Sequence, residues 1–553
     1  MHDVSVLIGG QAGEGINLAG LSIARLLNQL GYYPYMYYDY PSLIRGGHNF
    51  SIIRGANYRI SSHQDQVDFL LALNQDCIDL HTHRIKETTT IIYDSNAVKS
   101  LPKEGIGINF HQMVKDANAP YITRNSGIIG AFSRAADIPW NTLEDLLKRT
   151  IPKGLEINLV MAKKGYDASR GAAPIGNAEG KALPVLSGNE AIALGFLKAG
   201  LSTYIGYPMT PSTSLLNYLA AAADEFALKV MHPENEIAVM LMALGCSYMG
   251  ERVALGTAGG GFCLMTEGLS LAGQAELPLV IVMGQRTGPS TGLPTYTAQG
   301  DLFFVMHAGQ GEFPRFVAAP GDADEAYYWA GVALNTAWKY QVPAFVLTDK
   351  TLAEGTYTFD PGLIPLVNPE DPPLWDRQEP YNRYAMTESG ISPLAFVPEQ
   401  GQTIKVNSYF HDSGGITTEN AEMVRLMQEK FLRKGKTLTE GLQAYEQVNV
   451  YGNKDSKTAL LAWGSNKGVC REAADALGIR MIQPIVLMPF PEEQFRRSVE
   501  GVERLIAVEN NATSQLGMLI RRFGFHTDKE ILKYDGRPFS LNELMARVQE
   551  ALA

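Results

Sequence analysis

Three stretches of the chain share one pattern of apolar and polar positions: a short β-branched run, a glycine-rich turn, then apolar residues at every third or fourth position. An apolar run feeding a 3.6-residue period is the signature of a strand followed by a helix, so the pattern predicts an α/β protein of three domains with mainly parallel sheets. The first stretch opens with Val4-Ser-Val-Leu-Ile8, turns through Gly9-Gly-Gln-Ala-Gly-Glu-Gly15, and enters a helix over about 17–30 that Gly31 ends. Its domain is expected over 1–165, and residues 166–184, rich in Gly, Ala and Pro, read as a linker. A second domain is expected over 185–357. Within it Leu279-Val-Ile-Val-Met283 is apolar at every position, as a central strand covered on both faces requires. Periodicity then fades over 358–447 among Pro361, Pro365, Pro369, Pro372, Pro373 and Pro380, leaving one charged helix over about 421–434 in a long wrapping connection. Strands over 457–463 and 505–508 belong to a last domain, 448–553.

Composition narrows the function classes. A chain of 553 residues has room for three or four domains at about 150 residues each. Lys and Arg number 47 against 58 Asp and Glu, and a net charge of −11 argues against gripping a nucleic-acid backbone. No apolar run approaches the roughly 20 residues that cross a bilayer, and the amino terminus lacks a basic region and cleavage site, so the expectation is a cytoplasmic protein with no membrane partner. Cys77, Cys246, Cys263 and Cys470 are scattered with no C-x-x-C pair. No metal or iron-sulfur site is therefore expected on this chain, and any cluster must come from another.

Several segments carry candidate chemistry. The turn 9–15 could aim backbone N–H groups at an anion from a helix start, although Glu14 would repel one; a ligand-free tight turn is the equal alternative. Ser42-Leu-Ile-Arg-Gly-Gly-His-Asn49 sets Arg45 and His48 in a turn-like segment, either an anion contact or a surface loop. In Gly206-Tyr-Pro-Met-Thr-Pro-Ser-Thr213, Pro208 and Pro211 stiffen a loop whose hydroxyls can cap the next helix or hold a carboxylate. Glu236 opens the apolar helical run Ile237-Ala-Val-Met-Leu-Met-Ala-Leu-Gly245, which makes it either a dipole partner on a solvated edge or a buried acid that handles a proton. Arg286 follows the strand over 279–283, where parallel sheets bind ligands, and suits a substrate carboxylate, with a surface salt bridge as the alternative.

Together these segments resemble the α subunit of 2-oxoacid:ferredoxin oxidoreductases with the γ domain fused at its amino terminus. Gly206-Tyr-Pro-Met-Thr-Pro-Ser-Thr213 is similar to that family's Y-P-I-T-P-S motif, with Met209 for Ile. Gln285-Arg-Thr-Gly-Pro-Ser-Thr-Gly-Leu-Pro-Thr295 is similar to Q-R-G-G-P-S-T-G-L-P-T, with Thr287 for Gly. The resemblance implies a Rossmann- or flavodoxin-like γ domain, a thiamine-diphosphate pyrimidine-binding domain and a transketolase C-terminal-like domain. It further implies conversion of a 2-oxoacid and coenzyme A to acyl-CoA and carbon dioxide, with electrons passed to ferredoxin. Glu236 then matches the glutamate that bonds N1′ of the aminopyrimidine, with Pro208 beside the cofactor. Thr210 and Arg286 match the residues that hold the substrate carboxylate, and Thr291 and Thr295 supply hydroxyls near the substrate. Gly10, Gly13, Gly15 and Arg45 become coenzyme A candidates. The chain departs from thiamine enzymes in lacking a G-D-G segment for the Mg-diphosphate. The resemblance therefore implies a β subunit carrying the diphosphate site, Mg and a [4Fe-4S] cluster, in an (αβ)2 heteromer active only when both chains are present. It favours 2-oxoglutarate as substrate, with pyruvate or a branched-chain 2-oxoacid next. Two other classes stay open: a non-catalytic α/β binding subunit, and a non-redox transketolase or decarboxylase.

Overall fold

The computed structural model describes residues 3–43 and 46–553, so Arg45 lies outside the described residues. The chain divides into two units: Met1–Ser187 with Glu354–Asp360 and Phe539–Ala553, and Gly188–Ala353 with Pro361–Pro538.

The first unit is built on an eight-stranded mixed sheet. Strand Asp3–Gln11, buried from Val4 through Gly10, pairs in parallel with Val67–Ala72 and antiparallel with His48–Ala56. Ile85–Asp94 and Ile106–Ile108 continue the parallel side; Tyr33–Asp39, Thr356–Thr358 and Val185–Ser187 complete the antiparallel side. Helices Ile16–Gln29 and Arg124–Ala135 lay apolar stripes on this sheet, among them Ile16, Ile23, Leu27, Ile128 and Phe132. Two expectations are corrected here. Gly9 and Gly10 pair with Phe50 and Asn49, so the strand runs on to Gln11 and the turn shrinks to residues 12–15; His48 pairs with Gln11 and is a strand residue, not a turn residue. Helix Leu155–Ala168 takes in Tyr166, and the stretch 169–184 after it is tied down by its backbone: Ala172 and Ala173 donate to the Ala135 carbonyl at 3.0 and 2.9 Å, and Ala178 to that of Leu30 at 2.8 Å.

The second unit contains a seven-stranded and a five-stranded sheet. In the larger one Leu279–Gln285 is the middle strand, parallel to Val253–Ala258 on one side and Pro343–Asp349 on the other, and every one of its residues is buried. The smaller sheet centres on Thr458–Ala462 between Arg480–Pro484 and Arg504–Glu509. Just past Arg480–Pro484, strand Val486–Met488 crosses to pair antiparallel with Phe316–Ala318 of the larger sheet. One apolar core consequently spans both sheets, with Phe345, Trp463 and Phe495 among its members. Helix Ala421–Leu442 runs past the expected end near residue 434. No helix among the described residues is long and apolar enough to cross a membrane.

Candidate active site

Register brings the candidate segments to one edge of the larger sheet. Gly206, last in strand Thr203–Gly206, pairs with Gly256, and Ala258, last in Val253–Ala258, pairs with Gly284. The loop 207–212, the glycine turn after Ala258 and Arg286 therefore all leave from the carboxyl ends of neighbouring parallel strands, where a crevice for ligands forms. Strand Lys229–Met231 pairs with the same group and leads into helix Glu236–Tyr248.

Glu236 starts that helix. The Asn235 side chain accepts a 3.0 Å bond from the Ala238 amide and fixes the first turn, while Val239, Met240, Ala243 and Leu244 face the core. The acid is carried inward with them and is only 6% exposed. Across from it the helix Gly259–Gln274 begins with three glycines. A Cβ on Gly261 would stand 2.3 Å from Thr257 Oγ1 and 2.7 Å from Glu236 Oε1, so only glycine lets the helix start approach the carboxylate so closely. Among the described residues no side chain or amide donates a hydrogen bond to that carboxylate. A carboxylate on a largely buried side chain, with no donor from the described residues, fits a ligand that brings its own N–H group.

The structure joins two of the other candidates directly: Arg286 Nη1 donates to the Thr210 carbonyl at 3.0 Å. Thr210 precedes Pro211, whose carbonyl accepts a 2.8 Å bond from Asn189 Nδ2, which anchors the loop from below. Ser212 Oγ bonds the Met209 carbonyl at 2.7 Å rather than capping helix Thr213–Ala222, which starts without a side-chain cap. Pro208 is exposed at the loop tip. After Arg286 the chain doubles back: the Thr287 amide bonds the Tyr296 carbonyl at 3.1 Å and the Leu293 amide bonds the Thr287 carbonyl at 2.9 Å. Gly292 closes this loop with a positive φ at a place where a Cβ would lie 2.0 Å from the Thr287 carbonyl. Thr291 is exposed on the loop, and Thr295 is buried with its hydroxyl unpartnered. Arg286 Nε is likewise buried without a partner. Among the described residues one edge of a guanidinium and a buried hydroxyl are thus left without partners near the largely buried acid, a set of groups suited to a polar ligand.

Sequence reasoning missed Asp301. It sits before helix Leu302–His307 without capping it, and its amide donates to Gln285 Oε1 at 3.0 Å. Burial pushes the Asp301 carboxyl up to about 6, against the pull of Arg286; burial in turn lowers Arg286, which Asp301 opposes. Nothing in the local sequence marks this residue as more than a helix start, because the contact is made across the sheet edge.

In the first unit the turn 12–15 places Gly13 and Gly15 at positive φ before helix Ile16–Gln29, while Gly10 is inside the strand. Glu14, expected to repel anions, is instead neutralised. Its carboxylate is paired with buried Arg124 and accepts a 2.8 Å bond from the Gln11 amide. His48 Nε2 lies 2.9 Å from His81 Nε2, and burial pushes both rings below the ordinary histidine range.

Comparison with known proteins gives concordant matches. A family model described as pyruvate flavodoxin/ferredoxin oxidoreductase, thiamine diP-binding, matches residues 195–430, and one described as pyruvate ferredoxin/flavodoxin oxidoreductase matches 5–168. The chain is 30% identical to the 2-oxoacid:ferredoxin oxidoreductase subunit alpha of a Sulfolobus species, over 98% of this chain and 96% of that one. It is 27% identical to the 2-oxoglutarate synthase subunit KorA of Methanocaldococcus jannaschii, over 56% of this chain and 84% of that one. Among solved structures, the 2-oxoglutarate:ferredoxin oxidoreductase from Magnetococcus marinus, with 2-oxoglutarate, coenzyme A and succinyl-CoA bound, superposes with a TM-score of 0.90 at 29% identity, covering 100% of both chains.

Proposed function

The chain belongs to the 2-oxoacid:ferredoxin oxidoreductase α-subunit family, and from that premise we propose that it carries the proton-handling and substrate-holding half of a thiamine-diphosphate site that oxidatively decarboxylates 2-oxoglutarate to succinyl-CoA. The observation that carries this reading is the largely buried Glu236 set against Gly261, at the same sheet edge as the Arg286–Thr210 contact. When bound, thiamine diphosphate supplies the carbanion chemistry that breaks the bond between keto carbon and carboxylate. Glu236 holds a proton at N1′ of the aminopyrimidine. Pro208 borders the ring. Arg286, through the Nε edge that the chain leaves unfilled, takes the 2-oxoacid carboxylate, and Thr210, Thr291 and Thr295 orient the substrate around it.

A β subunit completes the enzyme in this reading. It brings the diphosphate site, Mg and a [4Fe-4S] cluster, passes electrons to ferredoxin, and pairs with this chain as (αβ)2. Support comes from the relatives' designation as alpha subunits and from the apolar face that helix Glu236–Tyr248 turns outward, where Ile237 and Leu241 are each 50% exposed. Gly10, Gly13, Gly15 and Arg45 of the γ-like first domain are the proposed coenzyme A contacts. The preference for 2-oxoglutarate rests on the KorA relatives and on the Magnetococcus enzyme.

The test is to co-express the chain with its natural β partner, add thiamine diphosphate, and follow viologen reduction with 2-oxoglutarate, pyruvate and branched-chain 2-oxoacids. The expected result is coenzyme A-dependent turnover, highest in kcat/KM for 2-oxoglutarate, with kcat lowered at least about 100-fold in Glu236→Gln. Absence of turnover with every 2-oxoacid, or an unimpaired Glu236→Gln, would refute the assignment.

A further inference from the structure

Two consecutive carbonyls of the loop 207–212 are held by side chains from elsewhere in the chain. Arg286 Nη1 donates to that of Thr210 at 3.0 Å, and Asn189 Nδ2 donates to that of Pro211 at 2.8 Å. Asn189 Nδ2 also donates to Ser214 Oγ at 2.7 Å, just beyond the loop in helix Thr213–Ala222. The Pro211 carbonyl can only accept, so the amide nitrogen must face it. That orientation leaves Asn189 Oδ1 buried without a partner among the described residues, on a side chain that water does not reach. A buried amide that satisfies its nitrogen twice and its oxygen not at all is placed for donation. Its platform is stiff. Asn189 is the second residue of helix Gly188–Lys198, which is seated by close backbone approaches: a Cβ on Gly188 would lie 2.1 Å from the Leu352 carbonyl oxygen, and one on Gly195 would lie 2.0 Å from that of Tyr327. The Pro211 ring in turn packs against the middle strand, since a Cβ on Gly284 would stand 2.8 Å from Pro211 Cγ. Gly284 is two residues before Arg286.

We propose that Asn189 is a positioning residue for substrate binding: by fixing the Pro211 carbonyl it sets where the neighbouring Thr210 carbonyl holds the Arg286 guanidinium, and so where the 2-oxoacid carboxylate is taken. This inference rests on the assignment of Arg286 as the carboxylate holder. A guanidinium is a rigid planar fork, so the bond from Nη1 to Thr210 also aims the Nε edge that the chain leaves unfilled. The two carbonyls flank Pro211, whose ring locks φ, and a shift of one is therefore passed to the other. Acting through the loop, Asn189 governs affinity for the 2-oxoacid, whereas Glu236, on a different helix, keeps its proton-handling task.

The experiment uses the reconstituted α–β complex with thiamine diphosphate and compares the unaltered enzyme with Asn189→Asp, which keeps the size of the side chain and removes the donor. KM for 2-oxoglutarate and Ki for N-oxalylglycine, an unreactive 2-oxoacid isostere, should both rise at least about tenfold, with kcat, KM for coenzyme A and the affinity for thiamine diphosphate within about threefold. In an Arg286→Lys background, where the fork that meets the Thr210 carbonyl is gone, the same substitution should raise KM less than about threefold. An unchanged KM and Ki, the full rise repeated in the Arg286→Lys background, or a parallel decline of every constant with a lower unfolding midpoint would overturn the inference in favour of a structural role. Should Asn189→Asp fail to assemble with the β subunit, the neutral Asn189→Ala takes its place under the same criteria. If the unaltered complex turns over no 2-oxoacid, the functional assignment itself falls, an outcome distinct from turnover in which Asn189 leaves KM unmoved.

Discussion

At the scale of single residues the site is decided by what is missing as much as by what is present. Gly261 has no Cβ, and among the described residues Glu236 receives no donor while Arg286 Nε and Thr295 Oγ1 are buried without partners. Unfilled polar groups at one sheet edge are costly in a fold that gains nothing from them, at about 1–3 kcal/mol each, which is why they point to a ligand. The tightest of these arrangements gives a direct prediction. Gly261→Ala puts a methyl group 2.7 Å from Glu236 Oε1 and 2.3 Å from Thr257 Oγ1, so the carboxylate must move. We expect kcat to fall about 100-fold, since a misplacement of about 1 Å has that effect, while circular dichroism and the unfolding midpoint change little. An Ala variant with full activity would mean that the position of Glu236 is not critical. Much at this scale was legible in the sequence. The motif around Thr210 and the segment from Gln285 to Thr295 single out their residues by type and order, whereas the bond from Arg286 to the Thr210 carbonyl is visible only in the fold. Asp301 was illegible because its place against Gly259 is set by a part of the chain far from it in sequence.

Elements show the same division between local and non-local information. The helix at Ala421–Leu442 reads from sequence as a charged helix that ends near Lys434. In the fold it continues for two more turns, because Leu438 and Leu442 extend the buried stripe of Met427 and Phe431, and such burial outweighs the roughly 1 kcal/mol that an interior glycine costs. Its Lys430 and Lys434 are not solvated at all. Both pair with Glu276, and all three side chains are essentially inaccessible to water. Arg383 closes the cluster by donating to the Ala275 and Glu276 carbonyls at 3.1 and 2.7 Å. Periodicity cannot reveal an arrangement in which lysines on one helix neutralise a glutamate more than 150 residues earlier. Glu276→Ala would strand two buried ammonium groups, and we expect about 3–5 kcal/mol of destabilisation by denaturant titration. The pH dependence follows. Burial disfavours the Glu276 carboxylate, but Lys430, Lys434 and Arg383 hold it below the ordinary carboxylate range. Its contribution is therefore complete above the ordinary value of 4.5 and is lost as pH falls below it, a slope that the Ala variant should lack.

For the molecule as a whole, the pattern of exposed apolar surface is the most informative feature. Helix Glu236–Tyr248 buries one face in the core of the second unit and turns Ile237 and Leu241 outward, and helix Gly259–Gln274 beside it exposes Leu264 to the same 50%. These residues border a groove of about 1360 Å³ whose lining continues through Leu271, Phe303 and Phe313. Sequence periodicity could not separate this face from the core face, because helix Glu236–Tyr248 is apolar nearly all round, which ordinarily marks a helix buried on every side. Burial on every side is restored if a second chain covers the groove, and the helix that presents this surface is also the one that positions Glu236. Association and cofactor capture would then occur at the same place, with the partner closing the site over the acid. Leu241→Asp tests this without touching the core. We expect the isolated chain to keep its unfolding midpoint, its affinity for the β subunit to drop at least about tenfold by sedimentation velocity, and activity to recover as β is raised in excess. Unchanged affinity would move the interface elsewhere on the chain, whereas activity lost at every β concentration would mean that Leu241 supports the chemistry rather than the assembly.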